Sequence, residues 1–193
     1  MIKRKIKNHR SVQPALFLDR DGVINEDVGY PYRVEQLTVF PGVAETIAQF
    51  RRFGYYVIVV TNQSGIARGF FSVNDMHRFN EHLRARLLAD HDESVIDAIY
   101  FCPHHPEGEM EQYRINCDCR KPGIGMIQQA CVDFSIDLGK SFLVGDKATD
   151  VACGFNAGVK TVQIIKERRG IDIIADYEVH SLQECRHLVS EFK

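Results

Sequence analysis

No stretch of this 193-residue chain is apolar for long enough to cross a membrane. The longest runs, such as YYVIVV at 55–60, are strand-sized, far below the roughly 20 residues that a membrane helix needs. The basic opening MIKRKIKNHR is followed by no signal-peptide core, because the apolar run Ala15–Leu18 stops at Asp19. A cytoplasmic protein with no membrane partner is therefore expected. Charge of one sign is scarce as well: 24 Lys and Arg stand against 26 Asp and Glu, so bulk attraction to nucleic acid is missing and any anion site must be local. Nor does a basic stripe interleaved with aromatics appear, and no nucleic-acid partner is expected. Repeats, low-complexity tracts and linkers are also lacking, which predicts one domain over 1–193, with 1–13 a flexible basic arm and the whole a monomer. What is present, 45% hydrophobic and 26% charged residues, suffices for one substantial core.

Strand-like and helix-like segments alternate along the chain. Apolar β-rich runs at Ala15–Leu18, Tyr55–Thr61, Ile96–Phe101, Ser141–Val144 and Lys160–Ile165 are each closed by polar or glycine-containing residues. Between them, Val43–Phe53 places Val43, Ile47 and Phe50 on one face. A longer helical pattern from Phe71-Ser72 carries Met76, Phe79, Leu83 and Leu87, with Ser72 and Asp75 spaced as a capping box. A third helix is predicted after Pro122, and a fourth from near Asp150 to the cap-like Gly158; ADYEVHSLQEC reads as a final strand and helix. Fully apolar strands alternating with helices imply an α/β, doubly wound, Rossmann-like three-layer fold around a central parallel sheet. No insertion is long enough to form a separate cap domain.

Ligands in such sheets bind beyond the carboxyl ends of the strands. Asp19 and Asp21 follow the first strand, Thr61-Asn62-Gln63-Ser64 the second, and Asp146 and Asp150 the run SFLVGD. Helix capping would explain any one of these, but three coincident sites make it a poor account of all. Two carboxylates two residues apart, with a third from another strand, form a hard oxygen site suited to magnesium. Against a phosphate ester, Asp19 could attack phosphorus and Asp21 could protonate the leaving oxygen and then deprotonate water.

A second signal lies in FCPHHPEGEMEQYRINCDCRKP. Of six cysteines, Cys131, Cys153 and Cys185 fall in apolar helical patterns and read as core, whereas Cys102, Cys117 and Cys119 cluster beside histidines. Three thiolates with one imidazole, His104 or His105, are the closed tetrahedral set of structural zinc, which makes 102–119 a zinc-binding loop. Arg120 and Lys121 follow at once, so zinc would fix the base of a loop that delivers two cations.

Taken in order, DRDGVIN, TNQSG, CRKP and GDKATD resemble the four motifs of the haloacid dehalogenase superfamily of phosphatases. The resemblance implies that Asp19 is the nucleophile and a magnesium ligand, and that Asp21 is the acid/base whose backbone carbonyl also binds the metal. Thr61 and Lys121 would hold the phosphoryl group, Asp146 would be the remaining magnesium ligand with Asp150 supporting it, and Lys147 would touch substrate phosphate. Cys102, His104, Cys117 and Cys119 would bind zinc, the pattern selecting His104. Two zinc-loop branches of the superfamily are similar, one acting on a heptose bisphosphate and one on histidinol phosphate. DVGYPY and TNQSGIARG resemble the first. It implies a small phosphorylated sugar as partner, with Asp27, Val28, Gly29 and Tyr30 lining the sugar, Thr61, Asn62, Gln63 and Ser64 cradling phosphate, and Arg120 joining the catalytic set at the second phosphate or hydroxyls. Packing is the alternative role for Tyr30 and Tyr32. After CRKP the chain reads Gly123-Ile124-Gly125 instead of the usual Pro-Gly pair, which predicts an altered helix start. A non-catalytic sugar-phosphate sensor is the remaining alternative.

Overall fold

The computed structural model describes residues 11–165 and 174–190. Residues 1–10 of the expected arm lie outside that range, while Gln13 already pairs with the 135–137 segment, its N–H donating to the Ser135 carbonyl at 3.0 Å. Strands β1 (Ala15–Leu18), β2 (Tyr56–Asn62), β3 (Ala98–Cys102), β4 (Phe142–Gly145), β5 (Lys160–Ile164) and β6 (Tyr177–Val179) form one sheet in the order β3-β2-β1-β4-β5-β6. All five pairings are parallel.

The run ALFL is apolar throughout because both faces of β1 are covered. Leu16 and Leu18 pack on one side with Ile47 and Phe50 of α1 (Val43–Arg52), Leu83 and Leu87 of α2 (Val73–Asp90) and Leu188. Ala15 and Phe17 pack on the other with Met126, Ile127 and Ala130 of α3 (Gly125–Asp133) and Cys153 of α4 (Ala148–Ala157). Alternate side chains of a strand point to opposite faces, so a doubly covered strand must be apolar at every position. Each such Leu or Phe contributes roughly 1.5–3 kcal/mol by leaving water. The last described element is a 3-10 helix, Leu182–Ser190, packed against α1.

β1 sits where the strand order reverses, with β2 on one side and β4 on the other. The Asp19 N–H still bonds the Val144 carbonyl at 2.9 Å, after which the chain leaves the sheet. The ends of β1, β2 and β4 thus open into one crevice, and Gly123 and Gly125 shape its far side. A Cβ on either would lie 2.3 or 2.9 Å from the Asp118 carbonyl oxygen, so the loop from Cys119 folds back tightly before α3 begins. Helix α3 begins at Gly125, directly after this close turn of the backbone.

Candidate active site and zinc cluster

Asp19 and Lys121, 102 positions apart in the chain (121 − 19), meet at the end of β1. Lys121 is 2% exposed and its Nζ lies 2.9 Å from Asp19 Oδ1 and 2.6 Å from Asp150 Oδ1, while donating to the Val60 carbonyl at 2.8 Å. Burial alone would push the ammonium down, but the two carboxylates outweigh it and hold its pKa above the ordinary lysine value. For Asp19, burial is the largest influence and raises the carboxyl above its usual range, against the opposite pull of Lys121. The loop holding Lys121 is tied to β2 by Asn62, whose Oδ1 accepts from the Lys121 N–H at 3.0 Å and whose Nδ2 donates to the Lys121 carbonyl at 3.2 Å.

Oxygen atoms of Asp19, Asp146 and Asp150 lie within 4.8 Å of one another. Three carboxylates facing one buried ammonium carry an excess of negative charge, and their donors are hard oxygens, so the cluster fits a magnesium ion. Asp146 comes this close only because residue 22 is glycine: a Cβ there would stand 2.1 Å from Asp146 Oδ2, and its φ of +90° is in the left-handed region.

Asp21 lies beside this cluster with its carboxylate turned to other partners. Oδ1 accepts from Arg20 Nε at 3.0 Å and Asn25 Nδ2 at 3.0 Å; Oδ2 accepts from Arg20 Nη2 at 2.9 Å and Gln63 Nε2 at 3.0 Å. Gln63 Nε2 also donates to Thr61 Oγ1 at 2.9 Å, joining the ends of β1 and β2.

A cavity of about 350 Å³ opens above these groups. Asp19, Asp21, Asp27, Gly29, Tyr30, Thr61 to Ser64, Arg120, Lys121 and Lys147 line it. Val28 is 51% exposed and is not part of the wall. Thr149 and Asp150, not assigned to substrate from the sequence, are. Across the mouth, Lys147 Nζ pairs with Asp27 Oδ2 at 3.1 Å. Tyr30, at φ 58°, meets Phe70 edge to face at 5.1 Å between ring centres.

Cys102 ends β3, and the loop after it returns Cys117 and Cys119 to the same place. Cys102 Sγ is 3.5 Å from Cys117 Sγ and 3.8 Å from His104 Nδ1; Cys119 Sγ is 3.3 Å from Cys117 Sγ and 3.4 Å from His104 Nδ1. Tetrahedral zinc with Zn–S of about 2.3 Å requires edges of about 3.8 Å, so this donor set fits the metal after small adjustments. His105 is elsewhere, its Nε2 facing Arg68 and its Nδ1 accepting from the Glu107 N–H. Arg120 Nη1 donates to the His104 carbonyl at 3.3 Å, a direct link from the zinc cluster to the cavity wall.

A parallel sheet with an Asp-x-Asp after its central strand, a buried lysine beside the first Asp and further carboxylates after the neighbouring strand defines a HAD-like hydrolase. The HAD-hydrolase-like family profile matches residues 118–181. A D-glycero-beta-D-manno-heptose-1,7-bisphosphate 7-phosphatase of Haemophilus ducreyi is 44% identical over 81% of this chain and 85% of its own. An alpha-anomer 7-phosphatase of Burkholderia mallei is 44% identical over 80% of each chain. Among solved structures, the D,D-heptose 1,7-bisphosphate phosphatase of B. bronchiseptica, complexed with magnesium and phosphate, superposes with a TM-score of 0.75 at 25% identity, covering 92% of this chain and 98% of its own. The chain belongs to the heptose bisphosphate phosphatase family of the HAD-like hydrolases.

Proposed function

We propose that this protein is a magnesium-dependent phosphatase that removes the 7-phosphate of D-glycero-D-manno-heptose 1,7-bisphosphate and leaves heptose 1-phosphate. The observation that carries the reading is the Asp19–Lys121 pair, 2.9 Å apart at the switch point of the sheet, in a chain 44% identical to two enzymes named for this reaction. Asp19, Asp146 and the Asp21 backbone carbonyl would hold magnesium, which when bound would offset charge on the phosphoryl oxygens. Asp19 forms the new O–P bond as the bond from phosphorus to the sugar oxygen breaks, and Asp21 gives that oxygen its proton. Water then cleaves the aspartyl-phosphate while Asp21 takes the proton back. Lys121 and Thr61 hold the transferred group, with Asn62, Gln63 and Ser64 around it. Asp27, Gly29 and Tyr30 face the sugar, and Arg120 and Lys147 take the second phosphate. Zinc on Cys102, His104, Cys117 and Cys119 is structural, since four protein ligands leave no open position.

We infer further that the enzyme is a cytoplasmic monomer forming one domain; among the described residues no helix is long and apolar enough to cross a membrane. The test is phosphate release, with magnesium, from both anomers of heptose 1,7-bisphosphate and from histidinol phosphate. One heptose anomer should exceed histidinol phosphate in kcat/KM by at least about 100-fold, since buried polar groups matched to one substrate are left unpaired by the other. Asp19→Asn should abolish turnover with zinc content unchanged. Preference for histidinol phosphate would overturn the substrate, and binding without turnover by the unaltered chain would make it a sensor.

A further inference from the structure

We propose that Arg20, between the two strand-end carboxylates, is a positioning residue that fixes Asp21 for proton transfer and ties it to the wall of the sugar site. The inference rests on the acid/base reading of Asp21. Arg20 has no exposed surface, although it is charged and stands between Asp19 and Asp21 at the end of β1. Its guanidinium meets Asp21 as a two-pronged fork, Nε to Oδ1 at 3.0 Å and Nη2 to Oδ2 at 2.9 Å. Adjacent residues can make this contact because the chain turns at once, the Gly22 N–H bonding the Asn25 carbonyl at 2.7 Å.

The other donors of Arg20 are also spoken for. Nη1 reaches Asn80 Oδ1 on α2 at 2.9 Å, and Nη2 reaches the Pro31 carbonyl and Gln63 Oε1, each at 3.1 Å. The ring of Phe79, also on α2, lies 4.5 Å from the guanidinium carbon. Pro31 follows Tyr30 of the cavity wall, and Gln63 bonds both Asp21 and Thr61. Rotation of the Asp21 carboxylate therefore breaks bonds to Arg20, Asn25 and Gln63 together. An ordinary core ion pair would only need to neutralise the buried charge. Here a planar fork, which lysine does not offer, sets the plane of one carboxylate and holds it against the segment that carries Tyr30.

If the fork acts through the acid, its loss must depend on the leaving group. A sugar oxygen needs a proton as it departs; nitrophenolate does not. The comparison uses kcat/KM, which reports steps only as far as departure of the leaving group, so the later hydrolysis common to both substrates drops out. Arg20→Lys should lower kcat/KM for heptose 1,7-bisphosphate by about 100-fold and for p-nitrophenyl phosphate by less than about 5-fold. Heptose bisphosphate affinity, measured in an Asp19→Asn background, should change by less than about 3-fold. Asn80→Leu, which removes the Nη1 acceptor and otherwise only the bond from Asn80 Nδ2 to Met76 Sδ within α2, should show the same selectivity at about 10-fold, and it carries the comparison alone if Arg20→Lys does not fold. Equal losses on the two substrates, no loss on either, or a loss accounted for by affinity would overturn the proposal. Asp21→Asn separates the levels: selectivity there but not in the Arg20 and Asn80 variants refutes the role of Arg20, and no selectivity in Asp21→Asn refutes the acid/base reading beneath it.

Discussion

Gly22 shows how little room the carboxylate cluster leaves. A methyl group there would overlap Asp146 Oδ2 at 2.1 Å and would also have to adopt a φ of +90°. Gly22→Ala should destabilise the fold by more than about 1 kcal/mol. It should also raise the magnesium concentration for half-maximal activity, with zinc content unchanged; an unaltered magnesium dependence would mean that Asp146 does not hold the ion. At this scale, the placing of Asp19, Thr61 and Asp146 was legible in the sequence because strand ends are where α/β sheets present their chemistry, and that of Lys121 through the resemblance of CRKP to a family motif. Arg20 and Asn80 were not. A charged or amide side chain beside an acidic neighbour reads as solvated, and only tertiary packing of α2 over the end of β1 shows that both are buried. The resemblance of DVGYPY implies Val28 at the sugar together with its neighbours, and the turn at Gly29 and Tyr30 leaves its side chain exposed.

Helix α2 carries Phe79 and Asn80, so its anchoring bears on the site. Ser72 Oγ accepts from the Asp75 N–H at 3.1 Å, and Asp75 Oδ2 accepts in return from the Ser72 N–H at 2.8 Å, the reciprocal box that the spacing predicts. The Ser72 hydroxyl, donating to Asp75 Oδ2 at 2.6 Å, and then the Ser72 N–H hold the Asp75 carboxyl below its ordinary pKa. A depressed acid stabilises fully above its unfolded pKa and less as pH falls through its folded one. Ser72→Ala should therefore cost about 1 kcal/mol near neutrality. Measured as a shift in urea midpoint, that cost should stay constant from about pH 8 to 5 and shrink below about 4, where the ordinary carboxylate also protonates. A cost that grew on acidification would contradict the box. The remaining elements were legible where apolar periodicity was strong: the strands and the four helices lie where the pattern puts them, with ends displaced by a few residues. β3 is shifted to Ala98–Cys102, since Asp97 uses its carboxylate to accept the Val57 N–H at 2.7 Å. The expected final strand and helix lie at Tyr177–Val179 and Leu182–Ser190, the helix wound as 3-10 and seated on α1.

For the molecule as a whole, the zinc loop is joined to a sheet that already carries two apolar layers. One of those layers includes Cys102, with Cys117 and Cys119 packed against it, and zinc could contribute on the order of 10 kcal/mol to ordering the loop. Verified zinc removal, with magnesium restored, should lower kcat/KM by at least about 10-fold, within the range seen when groups that only position a site are lost, while far-UV circular dichroism of the sheet and helices persists. Full activity after that removal would contradict the assignment of Arg120 to a zinc-fixed position. The two cations that follow Cys119 are not held alike, however. Arg120 leans on the His104 carbonyl, within the metal loop. Lys121 instead has both of its main-chain groups matched by the amide of Asn62. That side chain imitates a neighbouring strand for a single residue, adding one last rung to the ladder beyond β2. The ammonium thus takes its address from the sheet, and changes of length in the loop ahead of it are mechanically decoupled from the charge that faces Asp19.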